Sequence, residues 1–206
     1  TVLIEDVAFH IDDLPKATSE LAQLLVDCGY DDACIYGHAL EGNYHFIISQ
    51  GFDTQADIDK YKHLMNEVEK LVVDRYDGSL KAEHGTGRNM APFVRKEWGD
   101  EAYEIMKRLK KAMDPDGILN PGVIFNDDPE CYVKHIKAMP QTDPHVDRCI
   151  ECGFCEVNCV SCGFSLSARQ RIVVQRMVSQ LRRTGDNPAM LAELESHFKK
   201  LGLDTC

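Results

Sequence analysis

Apolar and polar residues alternate in a rough step of two along Val2–His10, with Val2, Ile4, Val7 and Phe9 apolar, which is the period of a strand. Pro15 then opens a stretch in which Ala17, Leu21, Leu24 and Leu25 recur with a period near ~3.6, predicting a helix that Gly29 ends. Ala33–His38 reads as a second strand, Gly42-Asn43 as a turn and Tyr44–Ser49 as a third strand. Thr54 or Asp57 caps a long helix reaching about Tyr76, with Ile58, Tyr61, Leu64, Met65, Val68, Leu71 and Val72 on one stripe. Asp77-Gly78 breaks it. Ser79–Glu83 is a short strand entering a glycine-rich turn, and Lys96–Met113 an amphipathic helix stopped by Asp114-Pro115-Asp116-Gly117.

The order strand, helix, two strands, helix, strand, helix predicts an α+β fold. An antiparallel sheet would carry helices on one face, close to the split βαβ motif. It fills about residues 1–125. Asn126–Val146, with Pro129, Pro140 and Pro144, reads as a linker. Residues 147–206 read as a small helical domain. It holds a cysteine-rich loop and the helices Ala168–Arg183 and Pro188–Lys200, separated by Thr184-Gly185-Asp186.

Composition narrows the function classes. A hydrophobic content of 44% and a charged content of 28% over 206 residues are ordinary for a globular protein. A net charge of -11 argues against a nucleic-acid partner, since phosphates want a basic face. No apolar run approaches the ~18 residues of a membrane span, and the first residues contain no signal peptide. Of nine cysteines, five fall within Cys149–Cys162. That clustering points to metal and a reducing cytoplasm rather than to disulfides. Cys28 and Cys34 sit among apolar neighbours and read as small core residues.

Cys149-x2-Cys152-x2-Cys155-x3-Cys159 is the spacing by which bacterial-type ferredoxins hold a 4Fe–4S cluster. A soft iron–sulfur core takes four thiolates, and Gly153 lets the loop fold back so that they converge. A structural zinc site uses similar pairs, and unliganded thiols are a third reading. Val160 stands where a proline usually follows the run, and Cys162 adds a thiol nearby. In two-cluster ferredoxins the fourth cysteine of one run ligates the other cluster. Cys206, the last residue, is accordingly expected to begin a second run. With the abrupt opening Thr1-Val2-Leu3-Ile4, it suggests a piece of a larger protein. On that expectation both clusters are incomplete, and the loop is a mobile stretch, an adventitious zinc site or a stray disulfide.

A second constellation lies in the α+β part. His38 and His45 flank the Gly42-Asn43 turn, so two strands leaving one hairpin bring both imidazoles to one end of the sheet. Glu83-His84-Gly85-Thr86-Gly87-Arg88 follows where a short strand meets a flexible turn. Two histidines and a carboxylate are a common ligand set for zinc or another divalent metal, with positions left open for substrate. His84 would be a spare base beside it. Taken singly, each histidine also reads as a surface or capping residue.

Three motifs in order add a resemblance: Gly37-His38-Ala39-Leu40-Glu41-Gly42-Asn43-Tyr44-His45, Glu83-His84-Gly85 and Leu119-Asn120-Pro121-Gly122. The chain resembles the C-terminal part of FAD-linked oxidases and dehydrogenases of the D-lactate, glycolate and D-2-hydroxyglutarate dehydrogenase type. That family carries Gly-His-x-Gly-Asp-Gly-Asn-x-His, Glu-His-Gly and Asn-Pro-Gly; here Leu40 and Glu41 replace the glycine and aspartate of the first motif. With the cysteine run and Ser167–Ile172, the chain most resembles large bacterial fusions of an FAD domain, this cap domain and an iron–sulfur region. The resemblance implies a ferredoxin-like cap domain followed by a ferredoxin-type helical domain.

What the resemblance implies for function is oxidation of a D-2-hydroxyacid to a 2-oxoacid. FAD, held mainly by a part outside this sequence, would receive the hydride, and 4Fe–4S clusters on Cys149, Cys152, Cys155, Cys159 and Cys206 would carry the electrons away. His38, His45 and Glu83 would hold the divalent metal and His84 would be the general base. Asn43 would hydrogen-bond the substrate, and Arg88 would pair with a carboxylate. This piece alone would be inactive. The implied partners are the small-molecule 2-hydroxyacid and an electron acceptor, a quinone or an electron carrier, in the cytoplasm or at the inner face of a membrane. An electron-transfer subunit without its own substrate site and a zinc-stabilised interaction module are the competing classes.

Overall fold

In the computed structural model, which describes residues 2–52, 54–136 and 139–205, the chain divides into two compact units, Thr1–Ile136 and Lys137–Cys206. The first unit is α+β. Strands β1 (Val2–Ala8), β2 (Cys34–His38) and β3 (Asn43–Ser49) form an antiparallel sheet in the order β1-β3-β2. Strand pleating sends successive side chains to opposite faces. Leu3, Val7, Phe46, Ile48 and Ile35 turn to one face, and Val7, Phe46 and Ile48 are buried there with Leu21 and Leu25 of α1 (Leu14–Asp27) and Leu64, Met65 and Val68 of α2 (Gln55–Glu69). Helices therefore cover one face, as the periodicities predicted. The opposite face carries Asp6, Tyr36, His38, Asn43 and His45.

Both expected caps of α2 act together. The Thr54 hydroxyl accepts from the Asp57 N–H while the Asp57 carboxylate accepts from the Thr54 N–H, satisfying two donors that a helix start leaves orphaned. The connection between the two histidines is longer than the expected Gly42-Asn43 turn, and Asn43 already belongs to β3. Ala39–Glu41 make one helical turn, and Gly42 closes it at φ 74°. A Cβ on Gly42 would meet the Phe9 carbonyl oxygen at 2.4 Å, so a side chain is excluded by contact as well as by backbone conformation.

The expected strand Ser79–Glu83 reduces to a single bridge, with Ala8 and Ser79 exchanging hydrogen bonds of 2.8 and 2.9 Å. Beyond it the backbone N–H groups of Ala82, Glu83 and His84 go to the Asp6 carboxylate instead of a neighbouring strand. Helix α3 (Val94–Met113) is interrupted at Gly99, where φ is 77° and ψ 165°. The expected linker also divides. Its residues up to Ile136 belong to the first unit, because Cys131 is buried and the Tyr132 ring packs edge-on against Phe93 at 5.4 Å. Cys28 is buried as expected, whereas Cys34 is exposed on edge strand β2.

The second unit holds α4 (Ala168–Thr184) and α5 (Pro188–Phe198). Ser167 and Gln170 form a capping box on α4, and Gly185 ends it in the left-handed conformation. Among the described residues no helix is long and apolar enough to cross a membrane.

Candidate functional site

The uncovered face of the sheet builds the site from its register. Asp6, His45 and Tyr36 lie in one cross-strand row, and Ala8, Asn43 and His38 in the next. His45, on the central strand, is nearly sealed, with its side chain 4% exposed, whereas His38 on the edge strand is 59% exposed. The loop after the Ala8–Ser79 bridge swings Glu83 over both. Its Oε1 lies 2.9 Å from His45 Nε2 and 3.3 Å from His38 Nε2. The His84 ring stacks on His45 with centroids 4.5 Å apart and planes 6° apart. Two strands and one loop thus bring together four residues from His38 to His84, and the two histidines lie on the same side of the sheet.

His38, His45 and Glu83 each offer one ligand atom, and these atoms lie within 4.8 Å of one another. Two imidazole nitrogens and a carboxylate oxygen fit zinc or a similar divalent cation. The exposed side of His38 and Glu83 leaves room for further ligands.

Several residues of the site escaped the sequence reading. Asp6 is fully buried and accepts from the N–H groups of Ala82, Glu83 and His84 at 2.9, 2.6 and 3.2 Å. Burial pushes its carboxyl up, but the hydrogen bonds from Glu83 and His84 and the nearby Lys81 ammonium outweigh this and hold it below the usual carboxylate value. Lys81 Nζ sits 2.6 Å from buried Glu5 and 3.3 Å from Asp6. Tyr36 lies against His45 with centroids 5.1 Å apart. The signal was present: Glu5-Asp6 is a pair of carboxylates inside an apolar strand, and buried charges are kept only with partners.

Asn43 is buried on the same face, and its Oδ1 has no hydrogen-bond partner among the described residues. Arg88 is exposed and makes no ion pair among the described residues; its carbonyl accepts from the Cys131 thiol. The structure therefore does not join Arg88 to the histidine group.

In the second unit the cysteine loop is folded by close turns. Glu151 and Gly153 take positive φ of 61° and 84°, and the N–H of Glu151 points at Cys149 Sγ at 3.4 Å. Cys152, Cys155 and Cys162 are exposed, Cys149 and Cys159 half-buried, and all described cysteines are free thiols. The Ser161 hydroxyl, with the backbone N–H groups of Ala168 and Ser161, draws the Cys159 thiol down to about 7. Such a donor set suits a soft metal or cluster that needs thiolates. Cys206 lies outside the described residues.

The loop is tied to α4 by two buried arginines that the sequence reading passed over. Arg176 donates to the carbonyls of Cys149 and Val146 at 2.8 and 3.3 Å and pairs with Glu151 at 2.7 Å. Arg171 donates to Ser161 Oγ, to the Leu166 carbonyl and to the Gly202 carbonyl. Of the expected alternatives for this loop, a disulfide is not formed among the described cysteines.

Residues 1–124 match the family described as FAD linked oxidases, C-terminal domain. The chain belongs to this family. All members of the histidine group fall within the matched part of this FAD-linked oxidase C-terminal domain; the cysteine loop lies outside it. The glycolate oxidase subunit GlcD of Bacillus subtilis is 30% identical over 132 residues, covering 62% of this chain and 27% of that protein. A D-2-hydroxyglutarate dehydrogenase of Xanthomonas citri pv. viticola is 32% identical over 125 residues, 58% of this chain and 26% of that protein. The mitochondrial D-lactate dehydrogenase [cytochrome] of Arabidopsis thaliana is 31% identical over 126 residues, 60% of this chain and 21% of that protein. The chain thus matches about a quarter of the length of these relatives.

Proposed function

We propose that this chain supplies the substrate-side part of a flavin-dependent D-2-hydroxyacid dehydrogenase, which oxidises the hydroxyacid to a 2-oxoacid. The observation that carries the reading is the convergence of His38, His45 and Glu83 with the His84 ring stacked beside them. Relatives named for glycolate, D-lactate and D-2-hydroxyglutarate chemistry support the substrate class.

In this reading His38, His45 and Glu83 hold a divalent metal, which when bound polarises the substrate hydroxyl and offsets the carboxylate charge. His84 takes the hydroxyl proton, a task suited to an imidazole near neutral pH. Its side chain is 41% exposed, so the proton can pass on to water. Asn43, on the same face, would hydrogen-bond the substrate, and Arg88, exposed on a turn away from the histidine group, would pair with a substrate carboxylate. FAD supplies the two-electron acceptor of the oxidation. Cys149, Cys152, Cys155, Cys159 and Cys206 are the residues to hold 4Fe–4S clusters, which pass electrons singly to a quinone or electron carrier. The protein works in the cytoplasm, in the open or at the inner membrane.

The test is dye reduction by the intact, FAD-loaded protein with D-lactate, glycolate and D-2-hydroxyglutarate offered in turn. Flavin-dependent reduction with at least one is expected, and none with any of the three would rule the reading out. Exposed His38 provides a companion variant. His38→Ala should weaken metal retention by one to two orders of magnitude without loss of fold, which dialysis followed by elemental analysis would show; full retention would remove His38 from the ligand set.

A further inference from the structure

We infer that Asp6 is the positioning residue of this site: it fixes the proton of His45 on Nδ1, leaving Nε2 for the metal, and pins Glu83 and His84 at the sheet edge. The inference rests on the proposed reading of His38, His45 and Glu83 as metal ligands. Its first support is the division of labour between the two oxygens of one fully buried carboxylate. Oδ2 takes the N–H groups of Ala82, Glu83 and His84. A single side chain thereby does what a neighbouring strand would otherwise do, and the ligand-bearing loop has its backbone fixed at three successive residues.

Oδ1 is left without a hydrogen bond, 3.3 Å from Lys81 Nζ and 3.7 Å from His84 Nδ1. His45 Nδ1 is also buried without a hydrogen-bond partner. Asp6 and His45 are direct cross-strand partners, and Asp6, His45 and His84 each place a ligand atom within 4.8 Å of the others.

The two orphaned atoms are chemically complementary, one lacking a donor and the other an acceptor. His45 turns Nε2 to Glu83, so a metal held there takes the Nε2 lone pair and the ring proton must sit on Nδ1. That N–H needs an acceptor, and the buried Oδ1 needs a donor. A ligating histidine that donates its other N–H to a carboxylate becomes a more basic, better-oriented ligand. Lys81, shared with Glu5, compensates the buried charge. The same Oδ1 faces His84 Nδ1, so one carboxylate orients both a ligand and the proposed base.

Two measurements test this. Manganese(II), a hard cation that thiolates compete for poorly, is titrated into the intact protein and into Asp6→Asn, with free manganese followed by electron paramagnetic resonance. The amide keeps the shape and one carbonyl for the loop but presents a donor where an acceptor is needed. Asp6→Asn should bind manganese about 10–100-fold more weakly than the unsubstituted protein. Equal affinity overturns the inference while leaving the ligand reading intact; no binding by the unsubstituted protein overturns both. The second measurement needs no variant and so does not depend on its folding. Long-range proton–nitrogen correlation on the zinc-saturated, unsubstituted protein should show His45 protonated at Nδ1 and ligated through Nε2, and the opposite assignment overturns the inference.

Discussion

Replacing His84 with alanine is expected to lower turnover of the FAD-loaded protein by a factor of about 10²–10⁴, the range set by loss of a positioned general base. The geometry separates this residue from the proposed ligands beside it. His84 stacks face to face on His45, and its Nε2 is 3.9 Å from Glu83 Oε1, farther than either His38 or His45 Nε2. Its removal therefore leaves the ligand set intact, so metal content and KM should change little while kcat falls. Steady-state kinetics with the best hydroxyacid, beside elemental analysis of the same sample, checks both halves. Turnover within a factor of about three of the unsubstituted enzyme would exclude His84 as the base. A parallel loss of metal would make it a ligand instead.

The second large effect is on stability. Arg176→Met should destabilise the second unit by about 3–5 kcal/mol, the usual cost of removing one member of a buried ion pair. Arg176 and Glu151 have side chains only 4% and 8% exposed, and the same guanidinium satisfies the carbonyls of Cys149 and Val146. Methionine fills the volume but offers no donor. Arg169→Met is the control, because its pair with Glu156 is 29% and 27% exposed and should be worth about 0–1 kcal/mol. Denaturant unfolding reads the difference, and the alkylation rate of Cys149, Cys152 and Cys155 should rise in Arg176→Met alone. Equal stability of the two variants would mean that Arg176 does not anchor the cysteine loop.

The two effects illustrate different kinds of legibility. His84 stands in a short motif whose residue types announce chemistry. Arg176 stands in the run Arg169–Arg183 among many cations, and nothing local marks which of them turns inward. Asp6 was hidden in the same way. A strand pattern predicts which face a residue takes, but not that a loop some 76 residues later will bring its N–H groups to that carboxylate. The fourth strand failed for the same reason. Ser79–Glu83 has the composition of a strand, yet a side chain captured the hydrogen bonds that would have made it one.

The sequence by itself determined three of the four expected strands and the main helices, because strand and helix periods, caps and glycine stops are local and mutually consistent there. It also determined the donor types: two histidines, a carboxylate and a spare imidazole in the first unit, clustered thiols in the second. Only the tertiary structure decided which of these meet. Antiparallel register set His45 between Asp6 and Tyr36 and left His38 on the open edge. The capture of the Ala82–His84 backbone by Asp6 brought Glu83 onto both imidazoles while Arg88 stayed in solvent. Those outcomes depend on pairing between segments far apart in the chain. The free energy that selects them comes from burying one face of the sheet and satisfying the polar groups of the other, which no local window of residues contains.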